Sequence, residues 1–172
     1  MADNFNLKPG QRAERKMLIT VAEWTEGTST VREFLGTRTE DSSIEYNSEV
    51  TTTTDILGHN YTDLERTQPQ QTFDESPIIG GDKLKAKLND IRRRNAISEL
   101  QGFTIYIITA FVGDSTNGYA AEKHVDCSIT YDSIGGDTKV NFPYTVHFSN
   151  KITTGTVDVL SEDFKFTADV TV

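Results

Sequence analysis

The residues of this chain that could move protons or hold a metal are three histidines, one cysteine and twenty-six carboxylates. Their spacing argues against both roles. His59, His124 and His147 are far apart, and no two sit at the helical interval that would bring them onto one metal. There is neither a glycine-rich phosphate loop nor a nucleophile-elbow serine. The aspartates of Asp132-Ser133-Ile134-Gly135-Gly136-Asp137 lack the alternating oxygen ligands and closing glutamate of a calcium loop. Cys127 is alone, so it forms no internal disulfide, and it reads as a small core residue beside Val125, Ile129 and Tyr131. Asn60-Tyr61-Thr62 matches a glycosylation acceptor and, with no secretory signal in the sequence, reads as a chance match. Arg92-Arg93-Arg94 could grip a phosphate, but three adjacent residues on a helix point three ways, so a solvated or subunit-facing helix is expected. These residues point to a non-catalytic chain with no cofactor.

The charges are unevenly spread. Net charge is -9 over 172 residues, yet residues 1 to 16 carry four basic and two acidic groups, and residues 82 to 100 carry six and three. The acidity is concentrated in residues 17 to 81, with twelve acids against three bases. A protein that holds nucleic acid needs cations facing phosphates, so this balance argues against that class. No run of eighteen apolar residues exists, and no charged leader precedes an apolar stretch, so a soluble protein made in the cytosol, without membrane contact, is expected.

The elements that position these groups are mostly strands. Val140, Phe142, Tyr144, Val146 and Phe148 alternate with polar residues, a period of two that buries one face and wets the other. The same period marks Val125 to Tyr131, Phe164 to Val172 and thirteen residues from Ile44 to Ile56. Met17 to Trp24 and Val31 to Thr39 read as two more strands around a turn at Glu26-Gly27-Thr28. As one strand, Ile44 to Ile56 would span about 40 Å, too long for its own domain, so the chain is expected to build something larger than itself. Phe103 to Val112 is apolar on both faces, the mark of a central, doubly covered strand. Asp82 opens a helix running to about Leu100 and closed by Gly102, with Leu84, Leu88, Ile91, Ile97 and Leu100 as its apolar stripe. The expected fold is mainly β: an antiparallel β-sandwich or barrel with one flanking helix and a long β-hairpin. Residues 1 to 16 form a polar arm, residues 17 to 172 a single domain, and residues 57 to 81 an irregular connector within it.

This order of elements carries a resemblance. A helix, a central strand, a Gly-Gly hairpin and then PYTVHFSNKITTGTVDV with its Gly155-Thr156-Val157 resemble the tail tube (major tail) proteins of tailed phages and phage-like particles. The similarity spans Asp82 to Val159; many relatives carry Gly-Asp where this chain has Ser149-Asn150.

The resemblance implies subunits that form rings, usually six-fold, stacked into a hollow virion tube through which DNA passes without being held. It implies assembly in the host cytoplasm and, as partners, further copies of the chain, a tape measure protein and tail terminator or sheath proteins. Under that reading Glu45, Glu49 and Asp55, with Glu40 and Asp41 before them, face the channel, where negative charge repels phosphates. Lys8, Arg12, Arg15, Lys16, Tyr61 and Phe73 are candidate contacts between rings, and Arg92, Arg93 and Arg94 face a neighbouring subunit. Two alternatives stay open: a related secretion-system tube protein, and a soluble β-sandwich module that binds carbohydrate or a receptor in an aromatic cleft drawing on Trp24, Tyr61 and Tyr119.

Overall fold

The fold is organised around β7 (Gln101–Asp114), because a strand apolar on both faces must be covered twice. The computed structural model describes residues 5–169. In it, β7 lies between β1 (Leu18–Glu26) and β8 (Gly118–Tyr131), both antiparallel to it, and β2 (Ser29–Phe34) flanks β1. Gly27 makes the β1–β2 turn with a φ of 62°.

Beyond β8 the sheet forks. The first half of β8, Tyr119 to His124, pairs with β10 (Ile152–Val157), while Ser128 to Tyr131 pairs with β9 (Tyr144–His147). The fork sits at Asp126, whose φ of 59° accompanies one extra residue opposite Phe103–Ile105. One branch continues from β9 through β6 (Gln70–Phe73) to β3 (Ile44–Glu45), and the other ends in β11 (Phe166–Ala168). Among the described residues the strands form an open sheet, not a closed barrel.

The two branches cover opposite faces of β7. On one face Phe103, Ile105 and Ile107 pack with Trp24, Cys127, Ile129 and the inward row Phe142, Tyr144, Val146 and Phe148. The helix α1 (Lys83–Arg94) adds Leu84, Leu88 and Ile91 to this core. On the other face Tyr106 and Ile108 meet Val21, Ala121, Val157 and Phe164, with the Phe164 ring edge-on to Tyr106 at 4.9 Å. Arg32 closes this second core, its guanidinium 4.4 Å from the Phe164 ring centre and paired with Glu23.

Several expectations need correction. Ile44 to Ile56 is not one strand: β3 ends at Glu45, Asn47 turns left-handed with a φ of 44°, and β4 (Glu49–Thr54) starts anew. Asparagine is among the few non-glycine residues that tolerate that conformation, and its Nδ2 donates across to the Gln68 carbonyl at 3.2 Å. Residues 57 to 81 are not an irregular connector, since they contain β5 (Asn60–Arg66) and β6. The helix starts where the sequence places it, with the Asp82 carboxylate accepting from the Lys85 amide, but it ends at Arg94 on a left-handed Asn95. Ile97 to Leu100 forms a separate 3-10 turn that buries Leu100 and leaves Ile97 exposed, so Ile97 is no part of the stripe. The bulge at Asp126 takes Val125 off the face of Cys127, and Val140 is exposed although the rest of its row is buried. The second strand covers 29–34, not 31–39, and the last spans only three residues; its expected continuation through 170–172 lies outside the described residues. The N-terminal arm is tethered at Phe5, which bridges to Val112, and at Asn6, whose amide donates to the Ala110 and Gly113 carbonyls at 3.0 and 2.6 Å.

Candidate assembly surface

Among the described residues, strands β4 and β5 pair only with each other and form a two-stranded sheet apart from the main one. Such a hairpin is marginal alone in water and normally needs a third strand or a packed face. Instead it carries Val50 opposite Leu64, both more than half exposed, with Tyr46 at its root and Tyr61 on its other face. Val50, Leu64, Thr52, Thr62, Thr54 and Asn60 share one uncharged face; Thr51, Asp63, Thr53 and Tyr61 share the other.

The tip is tightly built. The Asp55 carboxylate accepts from the amides of Leu57 at 2.8 Å and His59 at 2.9 Å, from the Tyr61 hydroxyl at 3.1 Å, and meets His59 Nδ1 at 3.1 Å. These donors, the His59 amide foremost, hold its carboxyl below the usual aspartate range. Gly58 supplies the left-handed residue with a φ of 85°. The construction leaves Ile56 fully exposed and Leu57 three-quarters exposed at the end of the hairpin.

The structure divides the sequence-predicted acids. Glu40, Asp41 and Glu45 come together with Asp74 and Glu75 around an open depression of about 380 Å³ beside β3 and β6. Asp55 is spent on the turn, and Glu49 begins β4 after the chain has broken at Asn47, so the five do not form one strand face. Phe73 is not a contact residue: it is 1 % exposed and stacks on Tyr144 at 4.8 Å. Tyr61 is exposed on the hairpin, as a contact would require. Lys8, Arg12 and Lys16 are exposed, and Arg15 ties its guanidinium to the carbonyls of Leu18 and Ser42 at 2.6 and 2.7 Å. Arg92 and Arg93 are solvent-exposed, while Arg94 bonds Asp90 and Glu99 at 2.8 Å each.

Trp24, Tyr61 and Tyr119 do not line a common cleft. Trp24 packs edge-on against Phe103 in the first core, Tyr119 borders the second, and Tyr61 stands on the hairpin. The histidines are equally scattered: His124 is buried with Nδ1 3.1 Å from the Ser149 carbonyl, and His147 meets the Thr130 hydroxyl at 3.0 Å. Among the described residues no three His, Cys, Asp or Glu side chains are grouped to hold a metal. No described helix is long and apolar enough to cross a membrane.

Sequence reasoning missed the exposed apolar set, Tyr46, Val50, Ile56, Leu57 and Leu64. The signal was present: Gly58 lies between Thr51–Thr54 and the alternating Tyr61-Thr62-Asp63-Leu64, a turn residue between two β-favouring runs.

No protein-family profile matches the chain, and no curated protein does. Among solved structures it is similar to the tube-terminating cap of the anti-feeding prophage, at 14% identity over 91% of this chain and 99% of that one, with a TM-score of 0.47. At that level no role transfers from the cap to this chain.

Proposed function

We propose that this chain is a structural subunit that associates with copies of itself into rings, which stack into the hollow tube of a phage-like tail. The observation that carries this reading is the β4–β5 hairpin, which stands off the sheet with an apolar pair and an apolar tip exposed. Scattered single apolar residues need no explanation, but several on one unsupported hairpin mark a surface made to be covered. The sequence resemblance to tail tube proteins supplies the kind of assembly.

In the tube the acidic depression of Glu40, Asp41, Glu45, Asp74 and Glu75 faces the channel. Its charge keeps DNA moving through without retention, since held phosphates need cations. Glu49 extends this acidity at the hairpin's root. Arg92 and Arg93 on the helix, and Lys8, Arg12 and Lys16 in the arm, meet acidic surface on neighbouring copies, with tape measure, terminator or sheath proteins at the tube's ends and exterior. The role is structural, in the virion, and needs no cofactor.

Negative-stain microscopy with light scattering tests it. The purified chain should give rings or tubes whose abundance rises with concentration, and a chain with residues 50–64 replaced by a glycine-serine linker should stay monomeric with its β circular dichroism retained. A wild-type chain that remains monomeric at every concentration would overturn the reading.

A further inference from the structure

A cleft of about 350 Å³ lies where β1 faces β6, beyond the part of β1 that β2 covers. Its walls are Leu18, Leu35 and Phe73, and Arg15, Lys16 and Glu40 stand at its rim. Gln71, 1 % exposed, also lines it. The Gln71 Oε1 accepts from the Thr20 hydroxyl at 2.8 Å, but its Nε2 has no hydrogen-bond partner among the described residues. A buried donor left unsatisfied destabilises the fold, so the cleft favours an occupant that brings a hydrogen-bond acceptor along with apolar atoms.

The hairpin tip has that chemistry. Ile56 and Leu57 are exposed apolar side chains, and the hydrogen bonds of the turn use the carbonyls of Asp55 and His59, so those of Ile56 and Leu57 lie outside them. The hairpin's root also lies beside the cleft, since β3 pairs with β6 through Ile44 and Gln71. Six residues of β4 reach about 20 Å. A tip that leaves from the edge of one cleft therefore cannot fill it, but a neighbour displaced by about one hairpin length presents the same cleft at the tip. We propose that Ile56 and Leu57 of one copy enter the β1–β6 cleft of the next, with a tip carbonyl accepting from Gln71 Nε2. The contact joins two different patches, so it repeats head to tail and closes into a ring or continues as a filament. Hydrophobic tip and cleft walls supply the attraction, and the unpaired amide of Gln71 supplies the polar anchor.

This inference rests on the self-assembly reading and is tested within it. In I56D/L57D the tip is spoiled and the cleft intact; in Glu40→Trp the cleft mouth is filled and the tip intact. Both changes are at exposed positions, and circular dichroism and melting check the fold. Each variant alone should need at least about tenfold more protein to assemble than wild type. Mixed, they should stop at a one-to-one pair, because the mixture offers one good tip and one good cleft. A Leu57→Cys/Lys16→Cys chain should form a disulfide-linked ladder on oxidation, while either single variant should not. Wild-type assembly with unimpaired I56D/L57D assembly, or no ladder, would overturn the docking and leave self-assembly standing. Absence of wild-type assembly would overturn both.

Discussion

Gly155 shows how closely one residue can be tied to its surroundings. A Cβ there would lie 2.2 Å from the Thr167 carbonyl oxygen and 2.7 Å from the Phe166 ring, so the β10–β11 pair closes only around a hydrogen. Gly155→Ala should destabilise the chain by about 1–3 kcal/mol in urea unfolding and loosen β11 first. Glu33 is a second such residue. Its carboxylate accepts from the Lys83 and Leu84 amides at 2.7 and 2.8 Å, at the start of α1, next to Asp82. Burial, then hydrogen bonding and repulsion from Asp82, raise its pKa from 4.5 to about 7, against the pull of the two amides. Asp82 in turn pairs with the buried Lys85 amine at 2.7 Å. A carboxyl raised in the folded state stabilises the fold below the unfolded value, and that stability is lost as pH rises through about 7. Wild type should therefore weaken between pH 5 and 8, by about 1 kcal/mol after solvent screening, and Glu33→Gln should flatten that slope in melting curves.

Among the elements, the helix and the central strand were the most legible in the sequence. Leu84, Leu88 and Ile91 recur at helical spacing, and FTIYIITAFV has no polar face, so each had one consistent reading. The same burial makes Leu88→Ala costly, about 2–5 kcal/mol by denaturation, while Arg93→Ala on the exposed side should change stability by less than about 0.5 kcal/mol. The strand from Ile44 was misread because periodicity is blind to a single left-handed residue. Asn47 breaks the chain while the alternation of Ile44, Tyr46, Val50 and Ile56 continues across it. That row was expected to be buried, but Tyr46, Val50 and Ile56 are exposed, because β4 and β5 stand apart from the main sheet. The fork in β8 was equally hidden: one extra residue at Asp126 shifts the parity of everything before it, and no composition signal marks it. Of the candidate site, the acids were found, but their grouping with Asp74 and Glu75 depends on β3 pairing with β6 across a separation that sequence cannot supply.

For the whole molecule, charge and assembly are coupled predictions. Asp41→Lys with Glu45→Lys changes two exposed positions of the acidic depression, away from the docking cleft, so the monomer should fold as wild type. If the proposed tube reading holds, particles built with it should have normal tails and impaired DNA delivery, measured as tail length and transferred genome; unchanged delivery would count against this face lining a channel. The free-standing hairpin also bears on how such a polymer starts. On the proposed docking, the first two copies to meet hold each other by a single hairpin contact that no other strand supports. A copy joining an existing ring end finds a waiting cleft. Starting is then slow and growth fast, so a solution of this chain should show a lag that vanishes when preformed ends are added. On the proposed assembly, that lag would keep subunits apart until an existing end is offered, which then sets where and when growth begins.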